Sequence, residues 1–154
     1  MSKFKLFVRN QMSFFWLPSA WFCGVKVDSL NSNSCTVGVK HNFFNKNPFN
    51  SLFWAVQGMA AEMPGGLLLM KKIKRSGHSV AMLLIGSNSS FKKKAVGKIF
   101  FTFDKGKDLD KFLNDAIITK KAQTISIKTN GIDENGDVVS EFSFMWSIKL
   151  RSKK

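Results

Sequence analysis

Apolar positions change their spacing several times along this chain, and each change marks an element. Phe4, Phe7, Val8 and Met12 recur at helical spacing, so residues 3–15 read as a short helix that packs as a flap and stops before Pro18. Residues 22–29 and 35–41 read as strands. In the second, Cys35, Val37, Val39 and His41 alternate with Thr36, Gly38 and Lys40, and Asn31-Ser32-Asn33-Ser34 supplies the turn between the two. Asn47-Pro48 then has the form of a helix start, an N-capping amide followed by a proline whose missing N–H had no partner anyway. The apolar run that follows predicts a helix to about Met63, kinked or ended by Pro64-Gly65-Gly66, with residues 67–75 as a further helical piece or an irregular exit.

Strand-like alternation returns over residues 80–85, 89–94 and 96–103, and the first two join into one long bent strand if residues 87–90 are included. Leu109, Phe112, Leu113, Ala116 and Ile117 predict an amphipathic helix over residues 108–121, with Lys120-Lys121 suited to its C-terminal dipole. Ile125 and Ile127, a turn within Asn130-Gly131 to Asn135-Gly136, and the alternating Phe142, Phe144, Trp146, Ile148 and Leu150 predict a closing hairpin. Residues 151–154 read as a frayed basic tail. The element order is that of an α+β fold in which an antiparallel sheet wraps one central helix. No composition shift marks a linker, so residues 1–154 read as a single domain with an N-terminal helical flap. The 16 phenylalanines fall mostly at periodic positions and, with Trp54 and Trp146, are expected in the core.

Charge narrows the chemistry. The chain carries 24 Lys and Arg against 10 Asp and Glu, a net +14 that draws in anions such as acidic membranes, nucleic acid or phosphorylated ligands. No nucleic-acid motif accompanies that charge, and none is expected as a partner. Cys23 and Cys35 form neither a metal pattern nor a disulfide framework, which fits a reducing, cytoplasmic setting. No metal site is expected, since His41 and His78 lack partner ligands at suitable spacing. The basic start before Phe14-Phe15-Trp16-Leu17 mimics a leader peptide, but the run is short, broken by Pro18 and followed by bulky Trp21-Phe22. Leu52 to Met70 has the length of a membrane span, yet Gln57, Glu62, Pro64 and two glycines suit a buried helix instead.

Between Lys46 and Lys71 the only charged side chain is Glu62. A carboxylate in apolar surroundings is paired, protonated or used in chemistry, which makes Glu62 the first functional candidate. Counting back along a helix from Glu62 gives Gly58, Ala55 and Ser51, a stripe of small residues leading to the acid. Lys92-Lys93-Lys94, and separately Lys71-Lys72 with Lys74-Arg75, are candidate phosphate holders or simply solvated charge. His41 is a candidate for a supporting role near the helix, whereas His78 reads as a loop residue.

The order of elements, with Asn47-Pro48-Phe49-Asn50-Ser51 opening the central helix and Ala60-Ala61-Glu62 inside it, resembles the hotdog-fold thioesterase superfamily over residues 16–150, and most nearly its uncharacterised thioesterase-like branch. An Asn near the helix start and a Glu about four turns later recur in that branch; they fall on Asn47 and Glu62. The resemblance implies a hotdog fold, hydrolysis of an acyl-coenzyme A thioester with coenzyme A entering as part of the substrate, and a homodimer or a tetramer made from it. It also implies Glu62 as base or nucleophile, Asn50 and Ser51 framing the thioester carbonyl, and Lys92, Lys93 and Lys94 on the phosphates, with no separate cofactor. The better-studied relatives carry a His-Gly-Gly-like turn that this chain lacks. Since Pro48 has no N–H, the carbonyl donors would be the amides of Phe49, Asn50 or Ser51; aligned on the Gly-Gly turn instead, Gln57 takes the place of the acid. A non-catalytic acyl-coenzyme A-binding protein of the same fold, and a basic protein that binds an acidic membrane or nucleic acid through its surface charge, are the competing readings.

Overall fold

The computed structural model of the chain describes residues 2–151; of the basic tail expected at residues 151–154, all but Arg151 lies outside the described residues. Helix α1 spans Lys3–Trp16, and Pro18 at its favoured first position starts a short helix α2, Pro18–Phe22. This second helix displaces the expected strand start, so β1 covers only Lys26–Leu30 and pairs with β2, Cys35–Lys40. The long helix α3 runs Trp54–Ser76 and is followed by β3, Val80–Phe91, and β4, Lys98–Phe103. Helix α4, Gly106–Thr119, precedes the hairpin of β5, Gln123–Ile132, and β6, Val138–Leu150.

The six strands form one antiparallel sheet in the order β1-β2-β4-β5-β6-β3. With α3 packed on the sheet's inner face, this is the hotdog arrangement, and its core joins Val37, Val39, Ile99, Phe101, Ile127 and Ile148 to Ala60, Ala61, Leu68 and Leu69 of α3. Leu109, Phe112, Leu113 and Ala116 of α4 close the core on another side. Strand β3 is continuous, with a register shift between Leu84 and Gly86. The hairpin turns at Asp133–Asp137, where the Asp133 carboxylate accepts the amides of Asn135 and Asp137 at 3.0 and 2.9 Å. Asn130-Gly131 stays within β5 because Gly131 serves a close approach: a Cβ there would lie 2.5 Å from Ser140 Oγ and 2.8 Å from Phe101.

Pro64 neither ends nor interrupts α3. Proline removes one intrahelical hydrogen bond, but here the turn is fully buried and the following glycines let the helix lie close on the sheet. Thr129 Oγ1 donates to the Ala61 carbonyl at 2.9 Å, adding a hydrogen bond where proline weakens the ladder. Gly77, at φ 71°, terminates the helix in the left-handed conformation, and Lys74 and Arg75 sit in its last turn.

The expected aromatic core is only partly formed. Phe101, Phe103, Phe112, Phe142 and Phe144 are buried with Trp146, but ten of the sixteen phenylalanines are exposed and Trp54 is 58% exposed. The reason is placement: the exposed rings lie on α1, α2, the loops before α3 and strand ends, where no second layer covers them. Among the described residues no helix is long and apolar enough to cross a membrane.

Candidate functional site

Asn47 does not cap a helix. Its Oδ1 accepts the amides of Phe49 and Ser51 at 3.0 and 3.1 Å, while its backbone carbonyl accepts the Asn50 amide at 3.1 Å. The segment closes on itself through a Lys46–Leu52 bridge and a 2.8 Å bond from the Asn47 amide to the Ser51 carbonyl. Asn50 takes φ 56°, a left-handed conformation that asparagine tolerates, so the chain turns where Asn-Pro had promised a helix. This corrects the expected carbonyl donors: the amides of Phe49, Asn50 and Ser51 are all occupied within the turn.

The helix begins instead at Trp54. Leu52 N–H is held by the Ala95 carbonyl at 2.8 Å and Phe53 N–H by the Asn45 carbonyl at 2.9 Å, which keeps the two residues extended until the Phe53 carbonyl accepts the amides of Val56 and Gln57. The first amides of a helix have no carbonyl a turn behind them, and Phe53 provides no side-chain cap. Among the described residues the Trp54 and Ala55 N–H groups therefore have no acceptor, and they carry the positive end of the α3 dipole.

The start of the helix, at Trp54, borders a cleft of about 430 Å³. Its walls come from Asn47, Ser51, Trp54 and Gln57 on one side and from Phe91 and Lys92 to Lys94 on the other. Ser51 belongs to the wall through its side chain, which is hydrogen-bonded to Asn47 Nδ2 at 3.1 Å; Asn50 is exposed and outside the cleft. Gln57 is buried, donates from Nε2 to the Leu52 carbonyl at 3.1 Å and leaves its Oε1 without a partner. The lysine triplet thus lies beside the helix start, but its members differ. Lys92 pairs with Glu141 at 3.1 Å, and Lys93 with Asp133 and Asp137 at 2.7 and 2.6 Å. Hydrogen bonds from these lysines hold the Asp133 and Glu141 carboxyls below the usual carboxylate range, and the bonds to Asp133 and Asp137 raise the Lys93 ammonium. Among the described residues Lys94 has no carboxylate partner.

Glu62 is half-buried and makes no hydrogen bond or ion pair among the described residues; burial pushes its carboxyl above the ordinary value. It lies on the α3 ridge Gly58-Glu62-Gly66, whose glycines face Phe142 and Trp146 of β6. The predicted small-residue stripe shortens to Ala55 and Gly58, because Ser51 precedes the helix. Glu62 is not on the cleft wall of its own chain. Eight residues separate it from Trp54, about 12 Å along a helix axis, so a reacting group at the Trp54 amide is out of reach of that carboxylate.

His41 has a buried, unpartnered Nε2 but does not line the cleft, and exposed His78 bonds through Nδ1 to the Ser76 carbonyl at 2.9 Å in the loop after α3. The second basic cluster lies at the far end of α3, where Lys72 and Arg75 line a separate cleft of about 510 Å³ and Lys72 pairs with Asp110 at 2.6 Å. Among the described residues no three His, Cys, Asp or Glu side chains are placed to hold a metal ion. Pattern reading missed the Trp54 and Ala55 amides. No capping side chain precedes them, so no local signal marks them.

A family model described as a domain of unknown function matches residues 4–148. Among curated proteins none matches the sequence. Solved structures similar to this chain are thioesterase-like hotdog proteins. A Pseudomonas aeruginosa protein of unknown function, described as a probable thioesterase, superposes with a TM-score of 0.82 at 16% identity, covering 94% of this chain and 95% of its own. A thioesterase from Haemophilus influenzae gives 0.68 at 12% identity, covering 94% and 90%. A Staphylococcus aureus thioesterase gives 0.58 at 13% identity, covering 81% and 93%; it has been solved with a glutamine changed to alanine and, separately, with a glutamate changed to alanine.

Proposed function

The chain belongs to the family described as a domain of unknown function (DUF4442), and from that membership, its thioesterase-like fold and the geometry at the start of α3 we propose that it hydrolyses an acyl-coenzyme A or closely related acyl thioester. The observation that carries the reading is the cleft of about 430 Å³ at the α3 N-terminus. The uncapped start of the helix at Trp54, an apolar wall and a lysine edge meet there.

A thioester carbonyl placed at the Trp54 and Ala55 N–H groups would meet donors and a positive dipole where charge gathers on its oxygen during attack. Glu62 supplies the remaining function. A carboxylate with a raised pKa is a stronger base, so it takes a proton from water as the water oxygen bonds to the carbonyl carbon. The C–S bond then breaks, and the thiolate leaves and is protonated. Direct attack by Glu62, giving an anhydride that water opens, uses the same group. In the Staphylococcus aureus thioesterase the substituted glutamine and glutamate lie fifteen positions apart, which is also the separation of Asn47 and Glu62.

Because Glu62 does not reach the amides of its own helix, the reading requires two copies, with the Glu62 of one completing the cleft of the other. The outer edge of β3 has no partner strand among the described residues, and pairing along it would extend the sheet across a homodimer. Lys94, without a carboxylate partner among the described residues, is the lysine available to a coenzyme A phosphate, while Lys92 and Lys93 shape the edge through their ion pairs.

Two variants test this. Glu62→Gln removes the base. Trp54→Pro deletes one amide hydrogen at the first helical position, where proline fits because Phe53 before it is already extended at φ −62°, ψ 138°. Each alone is expected to lose acyl-coenzyme A hydrolysis while Trp54→Ala, which keeps the amide, retains it. Mixing the two inactive variants by subunit exchange should restore about a quarter of the wild-type rate, because half the dimers are mixed and each holds one intact site. No recovery on mixing would sink the two-copy site, and binding without turnover by the wild type would make the chain a ligand-binding protein.

A further inference from the structure

Helix α1 is docked the wrong way round for a soluble surface helix. Apart from Leu6, which packs against the core, the side that faces the protein is polar: Asn10 donates from Nδ2 to the Val27 carbonyl at 3.0 Å and accepts the Val27 amide at 2.9 Å, covering the edge of β1. Its other apolar residues face outward. No residue of α1 is buried, and Phe4, Phe7, Phe15 and Trp16 are 61–78% exposed. An amphipathic helix normally buries that stripe.

The outward patch continues beyond α1. Phe14 packs edge-on against Phe15 and Trp21 at 5.2 and 5.1 Å, and Trp21 against Phe22 at 5.3 Å. At the end of α2 the Cys23 carbonyl accepts Asn45 Nδ2 at 2.9 Å, which ties the loop bearing exposed Phe43 and Phe44 to that end of the helix. Lys46 stands 5.1 Å over the Phe43 ring. Lys3, Lys5 and Arg9 lie on α1 itself, and the first acidic residue of the chain is Asp28, which is paired with Lys98 at 2.9 Å.

We propose that α1, α2 and the Phe43–Phe44 loop form a platform that seats on an anionic lipid surface, with the rings at the boundary between headgroups and acyl chains and the lysines on lipid phosphates. The chemistry matches that surface on both counts: aromatic rings with polar partners at hand favour the interface, and cations free of carboxylates favour acidic headgroups. Self-pairing of the same patch would gather the uncompensated cations of two copies, Lys3, Lys5 and Lys46 of each, into one interface, which like-charge repulsion disfavours. The protein would lie on the bilayer and not in it. This platform does not depend on the thioesterase reading.

The test is co-sedimentation of the full chain with vesicles of phosphatidylcholine alone and of phosphatidylcholine mixed with phosphatidylglycerol. The expected result is binding to the mixed vesicles that weakens with salt, with a blue shift in tryptophan emission from Trp16 and Trp21. Phe7→Ser with Phe15→Ser should weaken partition about tenfold per ring. Lys3→Gln with Lys5→Gln should weaken it about fivefold per charge. All four positions are exposed, so the folded circular dichroism spectrum should be kept. The proposal is overturned if the wild type stays in solution with both vesicles at low salt, if partition ignores phosphatidylglycerol, or if the double Phe variant binds as well as wild type. It is also overturned if that variant breaks an oligomer while the wild type ignores vesicles, which would place a second copy on the patch.

Discussion

Two adjacent glycines in α3 should respond to the same substitution with opposite signs. At Gly65 a Cβ would stand 2.6 and 2.9 Å from Ile127 Cγ2 and Cδ1, and Ile127 is itself fully enclosed in the core, so it has little room to yield. At Gly66 a Cβ would stand 3.5 Å from Trp146 Cζ2, an ordinary contact. Alanine in place of glycine inside a helix gains about 1 kcal/mol at either site. At Gly65 the overpacking, about 1–3 kcal/mol, offsets that gain and leaves a net loss of up to about 2 kcal/mol. At Gly66 nothing opposes it. For a chain of this size 1 kcal/mol moves Tm by about 2–4 °C, so Gly65→Ala should melt below wild type by up to about 8 °C and Gly66→Ala about 2–4 °C above it. Differential scanning calorimetry at one protein concentration measures both. If Gly65→Ala is as stable as Gly66→Ala, α3 does not lie on β5 as described, and the placement of the Gly58-Glu62-Gly66 ridge goes with it.

The Glu62 carboxyl predicts a pH signature. Burial raises its pKa in the folded state, so the folded chain holds that proton more tightly than the unfolded one does. The contribution to stability is fully present below the unfolded value of about 4.3 and is lost as pH rises through the folded value. Glu62→Gln should therefore be more stable than wild type to urea at neutral pH, with the difference closing near pH 4; a difference that widened toward acid would refute the assignment. Cys35 offers a probe of opening. Burial pushes its thiol up to about 12, against the opposing charges of Arg9 and Lys71, so it should resist alkylation in the native protein and react only on unfolding, after half-buried Cys23. Mass spectrometry of iodoacetamide labelling across a urea series would show it, and equal native rates for the two thiols would count against the fold.

What the sequence determined by itself is the set of elements whose pattern and burial agree. Alternation in Val37, Val39, Ile99, Phe101, Ile127 and Ile148 put the correct faces of four strands into the core, and the order of elements carried the hotdog resemblance. The uncharged run around Glu62 marked a carboxyl that is half-buried and unpaired, because a missing charge is visible in one dimension. Tertiary structure decided the rest. Asn47-Pro48 has the local chemistry of a helix start, yet bonds from Ala95 and Asn45 hold Leu52 and Phe53 extended and delay the helix to Trp54. Pro64-Gly65-Gly66 reads as a break, yet burial against Ile127 and Trp146 turns the glycines into a close fit. Most of the phenylalanines have core-like spacing, but spacing only says that rings share a side; whether another layer covers that side depends on elements distant in the chain. The site follows the same division, since its acid is written in α3 and its amides exist only where long-range contacts make the helix begin.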